Sequence, residues 1–456
     1  MLDRYSEYLK ALKGDFIKVA KLEFLNPDGS IAFSLDNNPY TKGSDAFIQT
    51  GTLSCNLQNG KRRQATITLA NINGDYDYAV NNLWFGQQVR LQEGLILPDG
   101  TEYYISQGVF ELETPKESIK PDQKTITYTL VDKWANLDGT LLGNLEDVYM
   151  VEAGTNIFQA IASILKLGIY DAGNDSIYPI DGVTPLFTNY YDDKTQTLTD
   201  GTVVNILDAP YDFISDASGT YADVILGLTE MLAAWVGYNQ NGRLVITPSQ
   251  DDIDDADKPT LWDFSMDEKQ LISIDYTHKN TEVYNDIIVV GATNDDNTTA
   301  RGRAQDTDPK SETCISRVGL KTKRIDMSNY YSDDICQSYA EWMLKRYSVL
   351  QKTVSLTTTQ MFHIAENNLI TIRRLDKEGQ PVEKHLIQGF SRPIGQTGNM
   401  TIDAVSVKDL PRPVITYMSF IAGIAIAGRT KAGIVRASGT SSASLGQAVL
   451  GQAVLG

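Results

Sequence analysis

The stretch ILGLTEMLAAWVGYNQNGRLVITPS, residues 225–249, places a helix directly ahead of a hairpin. Four apolar residues of this stretch follow helical spacing: Ile225, Leu228, Leu232 and Trp235. Thr220 and Asp223 precede them with the spacing of an N-terminal capping pair. Asn241-Gly242 is typical of a two-residue turn between two strands. The stretch therefore predicts an α+β unit in the middle of the chain.

A second helix is predicted in NIFQAIASILKLG, residues 156–168. Its apolar positions lie on one helical face: Ile157, Ala160, Ile161, Ile164 and Leu165. Glycine is common just after helix ends, so Gly168 is predicted to end this helix and Gly237 the next one. Together the two helices and the hairpin define an α+β segment at residues 137–262.

Residues 1–136 have the alternating pattern of β-strands after a short amphipathic helix at the N-terminus. Turn sequences such as Asn26-Pro27-Asp28-Gly29 and Asn59-Gly60 separate short runs in which apolar residues alternate with polar ones. Short strands with regularly spaced turns indicate a β-barrel or β-sandwich. This segment is the predicted N-terminal β domain.

Residues 263–410 return to the β pattern and contain one clear helix, SDDICQSYAEWMLKRY, at 332–347. Ser332 is a suitable N-cap, and acidic residues in the first turn with basic residues in the last complement the helix dipole. The segment is predicted to be a second β domain with this helix packed against it. The fold class is thus mainly β with α+β parts.

Composition restricts the classes of function that the chain can have. Lys+Arg 40 against Asp+Glu 58 gives a net charge of −18, which argues against nucleic-acid binding. The basic run Lys61-Arg62-Arg63 is interpreted as a local surface patch beside a turn. Cys55, Cys314 and Cys336 have no metal-ligand spacing and are expected to be free thiols. The N-terminus has no apolar signal-peptide core.

No motif for a nucleophile, a phosphate-binding loop or a zinc site occurs, and the three histidines, His278, His363 and His385, are isolated in sequence. Asp75 and Asp77 lie near a turn, where hydrogen-bonded Asx geometry is favoured over a bound cation. The acidic run at 251–257 lacks calcium-loop spacing and is interpreted as a linker. The sequence predicts no catalytic residue, no metal and no cofactor.

The remaining segment, residues 411–456, is an apolar tail punctuated by glycine. Its longest apolar run, 417–428, is 12 residues, whereas a membrane-spanning helix needs about 20. Glycines recur every five residues at the start and end of the tail, so several copies could pack closely around one axis. The candidate oligomer residues are Phe420, Ile421, Gly423, Ile424, Ile426, Gly428, Gly433, Ile434, Val435, Gly446, Gly451 and Gly456.

The order of these units resembles the baseplate hub, or tail-tip, proteins of tailed bacteriophages and prophages. The resemblance is carried by the helix–hairpin at 225–249, the strand EVYNDIIVVGA at 282–292, the helix ending AEWMLKRY and the strand NLITI at 368–372. It implies two tail-tube-like β domains per chain and a homotrimer that joins a sixfold tail tube to a threefold tip. The implied partners are the distal tail protein, the tail tube, the tape-measure protein and a tip fibre or spike. The implied location is the virion tail tip, after assembly in the host cytoplasm.

Under this interpretation three copies of the tail 411–456 close the tip as a plug or stalk, with contact to the host membrane left open. Two other functions remain as alternatives. One is a carbohydrate- or cell-surface-binding module, against which the missing signal peptide counts. The other is a cell-wall hydrolase, for which no catalytic motif was found.

Overall fold

The computed structural model describes residues 4–26, 28–42, 47–77, 83, 87–166, 168–171, 176–179, 181, 183–192, 194–197, 203–209, 212–232, 234–250, 259–279, 283–293, 297–327, 330, 332–348, 351–407 and 435–436. Strands contain 47% of the residues and helices 17%, which confirms the predicted mainly β fold with α+β parts. No helix among these residues is long and apolar enough to cross a bilayer.

The first part of the chain forms one half of a large, mostly antiparallel sheet. Its elements are α1 (Arg4–Ala11), β1 (Ile17–Leu25), β2 (Ile31–Asp36), α2 (Pro39–Lys42), β3 (Ile48–Asn56), β4 (Arg63–Ala70), β5 (Gln88–Ile96), β6 (Glu102–Lys120) and β7 (Gln123–Asp132), followed by a 3-10 turn at Lys133–Asn136. The strand order is β3-β4-β7-β6-β5-β1-β2. Alternate residues of β4 and β7 are buried, which is why these segments carry the period-two pattern.

The middle of the chain forms a small α+β unit around two helices. Its elements are β8 (Tyr149–Val151), α3 (Ile157–Lys166), β9 (Gly168–Asp171), β10 (Ser176–Pro179), β11 (Leu186–Phe187), a 3-10 turn at Asn189–Tyr191, β12 (Thr195–Thr197), β13 (Val203–Asn205), β14 (Phe213–Ser215), α4 (Tyr221–Met231), β15 (Trp235–Tyr238) and β16 (Leu244–Thr247). The five predicted apolar residues of α3 are all buried.

Helix α4 begins at the predicted cap. The Thr220 hydroxyl accepts from the Asp223 backbone N–H at 3.2 Å, and the Asp223 carboxylate accepts from the Thr220 backbone N–H at 2.8 Å. Helix α3 ends at Lys166, so Gly168 follows it at the predicted C′ position and begins β9. The predicted end of α4 was wrong: this helix ends at Met231, and Gly237 lies in β15, paired with β16.

The last part of the chain forms the other half of the large sheet. Its strands there are β17 (Thr260–Ser265), β18 (Leu271–Lys279), β22 (Gln351–Thr358), β23 (Leu369–Arg373), β24 (Val382–Ile394) and β25 (Met400–Ser406). Residues 389–394 of β24 pair with residues 51–56 of β3, so 13 strands form one continuous sheet. One apolar core receives residues from both halves. The division into domains at 136 and 263 stays a prediction.

Between β18 and β22 the chain builds a separate layer. Its elements are β19 (Asp286–Thr293), β20 (Thr299–Gln305), α5 (Ile315–Val318), β21 (Thr322–Asp326) and α6 (Asp333–Tyr347), and the strand order is β20-β19-β21. Ser332 caps α6 by accepting the Ile335 backbone N–H at 3.3 Å. Helix α6 packs on this three-stranded sheet through a core that includes Ile335, Tyr339 and Trp342.

Gly302 sets the distance between α6 and β20. A Cβ atom at this position would lie 2.2 Å from the carbonyl carbon of Cys336, so a side chain there forces the helix off the strand. We expect Gly302→Ala to lower the free energy of unfolding by about 1–3 kcal/mol, the usual cost of overpacking. Urea unfolding followed by tryptophan fluorescence measures this, because Trp342 lies on the displaced face.

Gly14→Ala is the matched control for Gly302→Ala. The nearest atom to its added Cβ is the Ala11 carbonyl oxygen at 3.7 Å, an ordinary contact. We expect this variant to stay within about 0.5 kcal/mol of the parent chain. Equal stability of the two variants would contradict the close contact between α6 and β20.

Candidate functional site

The structure describes only a small part of the predicted tail. Val435 lies in the two-residue strand β26 (Val435–Arg436), which pairs in parallel with β8, Val435 opposite Tyr149. The other candidate tail residues lie outside the described residues: Phe420, Ile421, Gly423, Ile424, Ile426, Gly428, Gly433, Ile434, Gly446, Gly451 and Gly456. Their role in oligomerisation stays a prediction.

The most heavily organised polar region among the described residues lies where the two halves of the large sheet meet. We call the antiparallel pairing of residues 51–56 with residues 389–394 the β joint. The Leu57 backbone N–H extends it by donating to the Gln388 carbonyl. Two buried ionic clusters lie against the β joint, and each contains groups from both halves of the sheet.

The first cluster is formed by Arg392, Glu93 and Lys18. The Arg392 guanidinium Nε lies 2.8 Å from Glu93 Oε2, and Lys18 Nζ lies 3.0 Å from Glu93 Oε1. Both Arg392 and Glu93 side chains are fully buried. Burial opposes ionisation of Glu93, but the charges of Arg392 and Lys18 outweigh it and lower the Glu93 pKa. The carboxylate is therefore held ionised between the two halves.

Gln107 connects the first cluster to the second. Its amide donates to the Phe362 carbonyl at 3.0 Å and its oxygen accepts from Arg392. The Gln107 backbone carbonyl accepts from Arg63 Nη1 at 2.8 Å. One buried glutamine thus contacts both clusters, as expected where polar groups have to be satisfied out of water.

The second cluster pairs Arg62 and Arg63 with Glu366. Arg63 Nη2 lies 2.5 Å from Glu366 Oε2, and Arg62 Nη1 lies 3.9 Å from Oε1. All three side chains are at most 5% exposed. The interpretation of Lys61-Arg62-Arg63 as a surface patch was therefore wrong for two of its three residues. Their charges are tolerated in the interior because Glu366 and backbone carbonyls compensate them.

The Asn59-Gly60 turn carries these arginines into contact with the α+β unit. The Gly60 backbone N–H donates to the Val236 carbonyl at 3.0 Å, and the Val236 N–H donates to Asn59 Oδ1 at 3.0 Å. A Cβ on Gly237 would lie 2.3 Å from the Nε of Arg62. Gly237 therefore makes room for the arginine side chain, which is a different role from the predicted helix end.

A third buried ion pair connects the end of β7 to the α+β unit. Lys133 Nζ lies 2.6 Å from Asp181 Oδ1, and the Tyr238 hydroxyl donates to Asp181 Oδ2 at 2.9 Å. The Lys133 and Asp181 side chains are at most 2% exposed. Burial and the Asp181 charge raise the pKa of Tyr238, so the phenol stays a donor.

The N-terminal helix contacts both halves. Tyr8 is buried, its hydroxyl lies 3.0 Å from His363 Nδ1, and it accepts from the Phe362 N–H at 3.0 Å. Burial and then the Arg392 charge lower the pKa of His363 to about 4. At its other end, Arg4 pairs with Asp99 at 2.8 Å. Helix α1 therefore fixes β5–β6 to the segment that carries His363.

The VYNDIIVVG stretch has a structural role in the separate layer. The buried Asn285 amide donates to the carbonyls of Thr313 and Gly319 at 2.9 and 2.7 Å. Asp286 accepts from Arg303 Nε at 2.8 Å, and this hydrogen bond is the largest cause of its lowered pKa. These two polar residues position the 313–322 loop on β19.

The remaining chemistry-bearing residues do not come together in the part of the chain that the structure describes. No group of three or more His, Cys, Asp or Glu there could hold a metal ion. Asp77, one of the two turn aspartates, accepts instead from Lys124 Nζ at 2.7 Å. Cys55, Cys314 and Cys336 are free and buried, as expected for the thiols. What the buried clusters do chemically is hold the halves of the sheet together.

Sequence similarity does not identify the chain, since neither a protein-family model nor a curated protein sequence matches it. Solved structures share its fold. The tail protein from Neisseria meningitidis MC58 superposes with a TM-score of 0.53 at 7% identity over 87% of this chain and 99% of its own. The 43 kDa tail protein of prophage MuSo2 from Shewanella oneidensis does so with 0.53 at 11% identity over 86% and 99%. The resemblance to tail proteins is thus confirmed at the level of the fold.

Proposed function

We propose that this chain is a structural protein of a phage or prophage tail, placed as the baseplate hub at the tail tip, and not an enzyme. The observation that carries the proposal is the shared fold with two tail proteins, which extends over 99% of the length of each of them. A likeness of that extent includes both halves of the large sheet and the units between them, so it concerns the whole architecture.

The buried clusters of the β joint support a structural role. Arg392–Glu93 joins β24 to β5, and Arg63–Glu366 joins β4 to the segment between β22 and β23. Both pairs are out of contact with water, where removal of one partner leaves an uncompensated charge. The two halves are therefore expected to behave as one rigid body. A rigid pair of β units is what a ring that transmits force along a tail requires.

The finer assignment concerns symmetry and partners. A homotrimer presents six β units, which matches a sixfold tail tube above and a threefold tip below. Its neighbours would be the distal tail protein, the tail tube, the tape-measure protein and a tip fibre or spike, in a virion tail tip assembled in the host cytoplasm. No nucleic-acid partner is proposed, in keeping with the net charge of −18.

Purified tail particles test this assignment. Labelling the particles with an antibody against this chain and imaging them by electron microscopy is expected to place it at the tip alone. Quantitative mass spectrometry of the same particles is expected to give three copies for every six tube subunits of one ring. Particles that lack the chain, or that carry it along the whole tube, contradict the hub.

The C-terminal tail is proposed to close the tip. Three copies of residues 411–456 would converge below the ring as a plug or narrow stalk, through the glycine-punctuated apolar segments, with host-membrane contact as a separate question. We expect deletion of 415–456, which also removes β26 from its pairing with β8, to leave the rest of the chain folded while abolishing infection or tip closure.

A shorter deletion is the control for this variant, and a separate assay tests membrane contact. A deletion of 441–456 alone removes the GQAVL repeats and keeps the first glycine series. Leakage from liposomes treated with a synthetic 417–436 peptide tests the membrane question independently. Full infectivity of the 415–456 deletion would refute the plug while leaving the hub assignment in place.

A further inference from the structure

The two halves of the large sheet repeat one strand order. In the first half the order is β3-β4-β7-β6-β5-β1, and in the second it is β18-β22-β25-β24-β23-β17. When the six strands of each half are numbered in chain order, strands with the same number occupy the same position in the two orders. Two differences remain: the first half continues past β1 to β2, which has no counterpart, and β1 is antiparallel to β5 whereas β17 is parallel to β23. The other six strands of each half are equivalent one by one.

A matching irregularity fixes this equivalence at the level of residues. The β3–β4 pairing skips one residue between Ile48 and Thr50, and the β18–β22 pairing skips one between Leu271 and Ser273. Such bulges are positioned features of a sheet. Aligning them makes Ser54 of β3 equivalent to Thr277 of β18.

The same argument relates β24 to β6. Ser391 pairs with Thr401 on β25, and Lys116 pairs with Thr127 on β7. Thr401 and Thr127 are themselves equivalent through their partners on β22 and β4. Lys116 of β6 is therefore the counterpart of Ser391 of β24.

The β joint uses one edge from each half, and the counterparts of those two edges are open. Beyond Glu111, where its pairing with β5 ends, β6 has only β7 beside it in the described structure, so residues 113–120 have a free edge. Strand β18, the counterpart of β3, likewise has only β22 beside it among the described strands. Unpaired edges of this length are surfaces on which another strand can add.

Ile394 and its counterpart Ile119 differ in burial. Ile394 is fully buried in the β joint, whereas its counterpart Ile119 is 71% exposed. In the β joint Ile394 faces Gly51, and the counterpart of Gly51 on β18 is Ile274. An isoleucine on each open edge gives the two edges a complementary apolar contact.

We propose that residues 113–120 of one copy pair with β18 of the next copy in the register of the β joint. Lys116 then lies opposite Thr277 and Ile119 opposite Ile274. The contact is heterologous, because each copy contributes β6 on one side and β18 on the other, so it generates a ring when it closes. Its closure at three copies rests on the proposed hub function, and the ring then alternates the β joint with this contact between copies.

Engineered disulfides test the register with a control built into the chain. Lys116→Cys with Thr277→Cys is the test pair, and Ser54→Cys with Ser391→Cys is its counterpart within the β joint. Directly opposed residues of antiparallel strands lie about 4.5–5.5 Å apart between Cα atoms, within the range a disulfide accepts. The three native cysteines are buried, so they contribute little background.

After mild oxidation of the assembled full-length protein, the control pair is expected to close within one chain and leave a monomer band on a non-reducing gel. The test pair is expected to give a ladder that ends at three covalently joined copies. Mixing the two single variants, Lys116→Cys and Thr277→Cys, is expected to give heterodimers only. A test pair that stays monomeric or closes within one chain, while the control closes fully, overturns the proposed pairing.

Light scattering on the unmodified protein separates this failure from failure of the hub. Three copies without the cross-link leave the hub in place and overturn the edge pairing. A cross-linked ladder that runs past three copies supports the edge pairing and contradicts the trimeric hub. A chain that stays monomeric at every concentration tested and without any cross-link overturns the pairing, and its absence from tail particles would then decide against the hub.

Discussion

Glu366→Gln is expected to lower the free energy of unfolding by about 3–5 kcal/mol. The substitution keeps the shape of the side chain but removes the charge that compensates Arg62 and Arg63, which are both buried. Although burial opposes ionisation of Glu366, the two guanidinium groups lower its pKa. Urea unfolding at neutral pH measures the loss. A lowered carboxyl pKa stabilises the fold in full above its unfolded value and progressively less as the pH falls towards the folded value. The difference from the parent is therefore expected to shrink below about pH 4.

Asp326→Asn is the matched control for Glu366→Gln. It removes a carboxylate that pairs with Arg324 at 2.7 Å, but both side chains of this pair are more than 60% exposed. Exposed pairs contribute about 0–1 kcal/mol, so we expect almost no change. A cost for Glu366→Gln as small as that of the control would show that the β joint tolerates buried, unpaired arginines.

The second large effect is expected in the pH dependence of stability. His363 is buried with a pKa of about 4, and burial also lowers the pKa of the fully buried His385. Above about pH 6.5 both histidines are neutral in the folded and unfolded chains, so neither contributes. As the pH falls towards 4, the unfolded chain binds a proton at residue 363 before the folded chain does. His363 therefore reduces stability by up to about 1.4 kcal/mol per pH unit in that window, and the lowered pKa of His385 acts in the same direction.

His363→Asn separates the contribution of this histidine. Its amide oxygen can still accept from the Tyr8 hydroxyl, which bonds His363 in the parent, but the side chain does not titrate. Between pH 7.5 and pH 5.0 the parent is expected to lose about 2 kcal/mol more stability than this variant does. His385→Asn is expected to reduce the pH dependence in the same direction. An unchanged slope in the His363 variant would show that the ring is accessible to protons in the folded state.

Local features of the fold follow from the sequence because they depend on near neighbours. The Thr220–Asp223 cap, the buried stripe of α3 and the alternating strands β4 and β7 each depend on residues a few positions apart. The predicted end of α4 at Gly237 was wrong because pairing with β16 decided that position. Glycine at position 237 leaves room for the Arg62 side chain, and the sequence around Gly237 does not contain that partner.

The polar part of the site could not be predicted for the same reason. Arg63 and Glu366 are separated by 303 residues, and each looks like an ordinary surface charge in its own segment. The one available signal was that Arg62 and Arg63 directly follow a tight turn at the start of an apolar strand, and arginine is almost never fully buried unless it is paired. Recognising that partner requires the strand order.

Synthesis on the ribosome places a condition on the β joint. Glu93 and Arg392 are 299 residues apart, so at about 5–20 residues per second the carboxylate leaves the ribosome about 15–60 s before its partner does. During that interval Lys18 is the one partner of its buried cluster that can compensate Glu93, and the outer edge of β3 lacks its neighbour β24. The last strands to emerge therefore complete the packing of the first half.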